Sequence, residues 1–253
     1  MRPRVIPCLL LKNHGLVKTI NFKNPRYLGD PINTVRIFNN KEVDEICILD
    51  ITATRENKAP DIEYLKEIAG EAFIPLSYGG GITSMRQVEQ IFHAGYEKVI
   101  MNTALINQET LVREAVAYAG SQSIVASIDV KRDILGKYKC YIQDGTTVTD
   151  KSPVETAKYA ESLGAGEILL NSISCDGRMK GYDISLVQSV AEAVDIPVIA
   201  CGGAKDLEDI KKVITEGHAH AAAAGSFFVY YGPEKAVLIS YPAEEIEKMF
   251  PKV

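Results

Sequence analysis

An α/β architecture, the (β/α)8 TIM barrel with a two-fold half-barrel repeat, is predicted by three features of this 253-residue chain. Eight short runs rich in Val, Ile and Leu recur along it, several intervening segments carry apolar residues at helical spacing, and the two halves share a Gly and Pro pattern at one constant shift. Near-continuous apolar strands alternating with helices specify a parallel sheet covered on both faces, and eight such units in about 250 residues fit a closed barrel. An open doubly wound sheet is the alternative, with about six strands as its more usual number.

In order, the runs are VIPCLLL from Val5, ICILD from Ile46, FIPLSY from Phe73, VIMN from Val99, SIVASID from Ser123, EILLN from Glu167, IPVIAC from Ile196 and AAAAGS from Ala221. Thr83 and Ser84 read as a helix start, with Met85, Val88, Ile91 and Phe92 at helical spacing behind them. Pro75, Gly80, Gly81 and Gly95 recur 122 positions later as Pro197, Gly202, Gly203 and Gly217, and Glu45 is echoed at Glu167. Shared turn chemistry accounts for glycines but not for a constant offset. The expected organisation is one barrel domain over 1–253, with half-barrels 1–120 and 121–253 and two similar ligand-binding mouths.

With 46% hydrophobic residues the chain can bury a core of its own, and a net charge of −5 argues against nucleic acid or an anionic membrane as partner. A phosphorylated small molecule must then be held by local donors. Five cysteines, odd in number and without a CxxC, indicate a reducing compartment and no structural zinc. The longest apolar stretch, Ala221 to Tyr231, is too short to span a bilayer, and MRPRVIPC runs straight into a strand. The expectation is a cytoplasmic protein. No organic cofactor is indicated. His218 and His220 precede the eighth strand, at the wrong end of the barrel for a metal site, and have no third ligand.

Chemistry in this fold sits at the C-terminal ends of the strands. The third run ends in YGGGI and the seventh in CGGA, where glycines ahead of a helix N-terminus let backbone N–H groups approach a phosphate. Asn102 and Thr103 end the fourth run, and Ala224, Gly225 and Ser226 the eighth. Asp129 ends the fifth run, placed either as a general acid or base or as a structural acceptor of backbone hydrogen bonds. Asp50 and Asp176 on the rim have the same two readings, turn former or substrate contact. Strand parity places four ions at the opposite end of the lumen: Arg4 below Ile6, Cys8 and Leu10, Glu45 below Cys47 and Leu49, Lys98 below Ile100 and Asn102, and Glu167 below Leu169 and Asn171. The pattern alone leaves a salt-bridge plug and a gate both open.

Taken together, RVIPCLLLKN, LDITAT, GGGI, KVIMNTA, SIDVKR, GAGEILLNSISCDGRMKGYD and ACGGA resemble, over nearly the full length, the cyclase subunit of imidazole glycerol phosphate synthase. The resemblance implies a glutaminase subunit at the lower face, whose ammonia passes up the barrel to a phosphoribosyl-formimino aminoimidazole carboxamide ribonucleotide at the top. It implies an ammonia gate of Arg4, Glu45, Lys98 and Glu167, one phosphate site at Gly81, Asn102 and Thr103, and another at Asp176, Gly177, Gly203, Ala224 and Gly225. Gly225 stands in place of a Ser. Lys18 falls on a mobile lid, or is a solvated loop lysine. The family's acid/base pair falls on Asp129 and on position 10, where this chain has Leu10, which can neither exchange a proton nor accept a hydrogen bond.

Two functions follow as expectations. One keeps the histidine-pathway reaction, with Asp129 as the surviving acid/base. The other, weighed above it on mechanism, is a paralogue in surface-polysaccharide synthesis that keeps ammonia delivery for amidination of a nucleotide-linked sugar, the sugar being held by a separate amidotransferase. An aminoaldose isomerase is a weaker third reading, since it also needs two aspartates.

Overall fold

The computed structural model describes residues 2–251. Eight parallel strands close into a barrel: β1 (Arg4–Lys12), β2 (Ile46–Asp50), β3 (Leu76–Gly79), β4 (Lys98–Met101), β5 (Ile124–Arg132), β6 (Glu167–Ser172), β7 (Val198–Cys201) and β8 (Ala221–Ala224). Each pairs with the next, and β8 pairs with β1 through Arg4↔Ala221 to Pro7↔Ala224, so no edge remains. Outer helices are α1 (Pro31–Asn40), α2 (Ile62–Ala69), α3 (Met85–His93), α4 (Glu109–Ala119), α5 (Pro153–Ser162), α6 (Ile184–Ala191), α7 (Leu207–Thr215) and α8 (Ala243–Met249). Among the described residues no helix is long and apolar enough to cross a membrane.

Local chemistry sets the helix starts. Asp30 accepts the N–H groups of Ile32 and Asn33 with Pro31 next to it, and the Gln87 side chain accepts from the N–H groups of Thr83 and Ser84 ahead of α3. The apolar face of α3 then buries Val88 and Ile91, as the helical spacing predicts. The larger core lies between the strands' outer faces and the helices, around Phe38, Ile48, Val99 and Ile168. A separate cluster fills the lumen with Ile6, Cys8, Leu10, Cys47, Ile100, Val125, Leu169 and Ile199, the parity expected of the sequence.

Two differences from the sequence reading matter. The third run starts at Leu76 instead of Phe73, because Pro75 has no N–H to place in a ladder and offers only its carbonyl, to Ile46. Phe73 instead stands on the lower rim, 93% exposed. Three hairpin devices went unread. Gly15–Ile20 pairs antiparallel with β1 and with Lys23–Gly29, Tyr138–Ile142 pairs antiparallel with the upper part of β5 and with Thr147–Val148, and Tyr230–Tyr231 pairs with Ala236–Val237. The first two flank the upper mouth.

Phe38→Ala removes a fully buried ring that packs edge-on against Phe228 at 6.3 Å. The expected cost is about 3–5 kcal/mol, read as a lower urea midpoint at unchanged slope.

Candidate functional site at the two ends of the lumen

At the lower end the four predicted ions meet. Arg4 bonds Glu45 through one guanidinium nitrogen and Glu167 through another, and the Lys98 ammonium lies 2.8 Å from Glu45 and 2.9 Å from Glu167. Cations and anions alternate around a closed ring. Both glutamates are buried, while Arg4 and Lys98 keep partial exposure at the underside. Burial alone would lower the Arg4 pKa, but the fields of Glu167 and Glu45 outweigh it and raise the value. Directly above lies a void of about 10 Å³ bordered by Glu45, Ser77 and Ile100, enough for one molecule the size of water or ammonia.

At the upper end a cavity of about 770 Å³ opens between the strand ends and the two hairpins. Ile100 borders both spaces, and Cys47 of the lower void lies 3.9 Å from Cys8 of the upper cavity, so one layer of side chains separates them. Every phosphate position carried by the resemblance lines this upper cavity: Gly81, Asn102, Thr103, Asp176, Gly177, Gly203, Ala224 and Gly225. Gly81 and Gly203 have positive φ, and a Cβ there would lie 2.4 Å from the Lys58 carbonyl and 2.1 Å from the Gly181 carbonyl. Loop packing therefore demands both glycines even without a ligand. Asn102 donates to the carbonyls of Ser127 and Tyr141, and Thr103 accepts the Gln143 N–H, so both also fasten the second hairpin.

Lys18 is not a solvated loop lysine. It sits on the first hairpin, buried, with its ammonium 2.7 Å from Asp176, and it passes beneath Gly225. Burial works against its charge, and Asp176 restores it. Asp176 is fully occupied: its other oxygen accepts from Thr19 Oγ1 at 2.7 Å, which draws the hairpin over the barrel. Asp50 is a turn former, accepting the N–H groups of Thr52 and Ala53. His218 pairs with Glu192 on the surface, while His220 accepts the Val198 N–H.

Asp129 faces the lumen and lines the base of this cavity, 7% exposed, while Leu10, equally buried, also borders it and packs on the Val17 and Leu49 ladders. Burial lifts the Asp129 pKa to about 8, and the nearby carboxylates of Asp144 and Asp176 add to the shift. Among the described residues four side-chain atoms are buried without a protein hydrogen-bond partner, on Gln108, Asp144, Asn171 and Ser226, and all four residues line the upper cavity. Polar atoms without a protein partner, gathered in one cavity, are open to water or a ligand. The Ser226 hydroxyl adjoins the position where Gly225 lacks one. Neither Asp144 nor Gln108 has a periodic signal in the sequence, since both lie in connecting segments.

Lys98→Met leaves Glu45 and Glu167 sharing Arg4 alone. For side chains partly open below, the expected loss is about 2–3 kcal/mol, short of the full buried-pair cost. The native Asp129 carboxyl keeps its proton to about pH 8, whereas the unfolded chain releases it at about pH 4, so its contribution to stability falls as pH rises between those values. Asp129→Asn should therefore stabilise the fold, with a gain that grows across that window and levels off above it. Urea unfolding from pH 4 to pH 9 measures this, and a gain independent of pH refutes it.

Residues 4–233 match the histidine biosynthesis protein family. The hisF2 protein of Pseudomonas aeruginosa, named provisionally as an imidazole glycerol phosphate synthase subunit, is 50% identical over 242 residues, 96% of each chain. A HisF protein of Leptospira interrogans, named in the same way, is 46% identical over 246 residues, 97% of each chain. The hisF3 protein of Vibrio vulnificus is 43% identical over 249 residues, 98% of this chain and 96% of its own. With the floor ring, the layered lumen and the glycine-lined upper mouth in place, this chain belongs to the histidine biosynthesis protein family, as a HisF-like subunit of the imidazole glycerol phosphate synthase type.

Proposed function

We propose that the chain accepts ammonia from a glutaminase docked on its lower face, passes it up the lumen, and serves amidination of a nucleotide-linked sugar in surface-polysaccharide synthesis. A separate amidotransferase holds the sugar. The observation that carries this reading is the pairing of an intact floor ring with Leu10: the delivery machinery is complete, while the strand-1 acid/base position is an apolar side chain buried in the lumen. An exposed Phe73 beside the lower mouth offers a protein partner an apolar anchor, its N–H fixed by Asn39 at 2.8 Å. Relatives with numbered names, hisF2 and hisF3, fit a paralogue.

A second reading is the histidine-pathway cyclase, which converts the open nucleotide and ammonia to imidazole glycerol phosphate. It is favoured by the 770 Å³ upper cavity with its four orphaned polar atoms, more room than ammonia requires.

The experiment uses the full chain with ammonium chloride and the histidine-pathway nucleotide. The delivery reading expects no imidazole glycerol phosphate at enzyme-like rates, and a turnover of about 1 s⁻¹ or more overturns it. Activity created from nothing by Leu10→Asp overturns the cyclase reading instead. In a complex rebuilt with the glutaminase and the sugar amidotransferase, Glu167→Gln should depress amidination driven by glutamine and spare that driven by ammonium chloride.

A further inference from the structure

We propose that the base of the upper cavity is an ammonium site, formed by the carboxylates of Asp129 and Asp144 and the side-chain carbonyl of Asn171. This deepens the delivery reading and rests on it for the source of the ammonia.

Elimination singles out the two acids. Four aspartates line the cavity, and Asp50 and Asp176 are committed to the turn and to the first hairpin. Among the described residues neither Asp129 nor Asp144 forms an ion pair, and one Asp144 oxygen is sealed from solvent with no partner at all. Asn171 gives independent support. It lies opposite Asp129 in the β5–β6 register, is 6% exposed, and leaves its Oδ1 unpartnered. The Asn171 amide bonds the Asp129 carboxyl, while Asn171 Oδ1 and one Asp144 oxygen stay without a protein donor, and a compact cation carrying four N–H bonds meets that demand.

Asp144 is held in place over the cavity. Gln143 and Asp144 both adopt left-handed backbone angles, at φ 52° and 55°, the conformation with which the turn of the second hairpin reverses the chain. Two hydrogen bonds fasten that hairpin: the Gln143 N–H donates to Thr103 at 3.1 Å, and Asn102 donates to the Tyr141 carbonyl at 3.3 Å. Charges in the cavity are also sorted by depth. Lys23, Arg55 and Lys58 are exposed around the rim and Lys12 is half-buried at the end of β1, where an anion would dock, and Lys18 is neutralised by Asp176. The buried acid lies deeper, on the side where the lumen opens.

Without a cation these carboxyls retain protons. Burial raises Asp144 to about 7, with Asp50 adding to the shift and Arg55 opposing it, and Asp129 to about 8. Ammonia arriving through an apolar lumen takes the proton of the Asp129 carboxyl: an N–H bond forms, the O–H bond breaks, and ammonium faces a carboxylate. The reverse transfer releases ammonia as the nucleophile, and no other reactant is needed.

The test is a titration of the full chain, labelled with ¹³C at the aspartate carboxyls, with ammonium chloride replacing sodium chloride at constant ionic strength. Expected is a saturable shift of the Asp129 and Asp144 signals and a lowered Asp129 midpoint, with no response to tetramethylammonium. Asp144→Asn, a change in a surface turn, should weaken the effect about tenfold or more. No saturable shift, an equal response to sodium, or an undiminished response in Asp144→Asn overturns the site. Neither glutaminase nor acceptor takes part, so failure here leaves ammonia delivery to be judged by the reconstituted complex, and failure there leaves the ammonium site to be judged by this titration.

Discussion

Closing eight parallel strands into a ring forces every second residue of every strand into one shared lumen. From that constraint the rest of the molecule follows. Residues two positions apart stack along the barrel axis, so Arg4, Ile6, Cys8 and Leu10 of β1 belong to successive layers, as do Glu167, Leu169 and Asn171 of β6. The floor is ionic, the middle is apolar and thiol-lined, and the top is polar. A glutamate four residues below an asparagine on the same strand is therefore a statement about which end of the lumen each occupies.

The ionic floor is a costly way to close a barrel. Taking charged groups out of water costs several kcal/mol per ion, and four well-packed apolar side chains would seal the same opening at equal or lower free energy. Stability does not account for its presence. In the proposed delivery reading, what a ring of ion pairs offers is reversibility: Arg4 and Lys98 keep part of their surface in solvent, so a partner pressing on the underside would supply new contacts as the old ones separate. An apolar plug has no such exchange available. In the proposed delivery reading, the void above the ring is the first station inside, with Ile100 and the Cys8–Cys47 contact as the next barrier.

Much of this was legible because a period of two is local. Counting back from Asn102, Asn171 or Leu10 was enough to place Lys98, Glu167 and Arg4 on one ring, and the same count put Asp129 at the top. The burial of Lys18 was not legible because its partner, Asp176, is 158 residues away and nothing in GLVKTINFKN signals burial of a lysine. The hairpins were missed for a related reason, since their strands alternate with turns already assigned to loops connecting barrel units. Asp144 was hidden most thoroughly. Gln143 and Asp144 lie in a polar connecting segment with no periodic pattern, and only the fold of the second hairpin brings that segment to the cavity.

Leu10 is the point where family likeness and physical reading part. Its neighbours in the ladders, Val17 and Leu49, are apolar, so a carboxylate there would enter an environment that has adjusted to a hydrocarbon. On the opposite wall Asp129 and Asn171 remain, and Asp144 stands over them on the second hairpin. The carboxyls at the top of the lumen that are committed neither to a turn nor to an ion pair thus stand on one side, the wall built from β5, β6 and the second hairpin. A two-carboxylate mechanism that needs groups on both faces of a bound ring is poorly served by such an arrangement. A small cation leaving the lumen, which needs acceptors but no opposed pair, is served well by it.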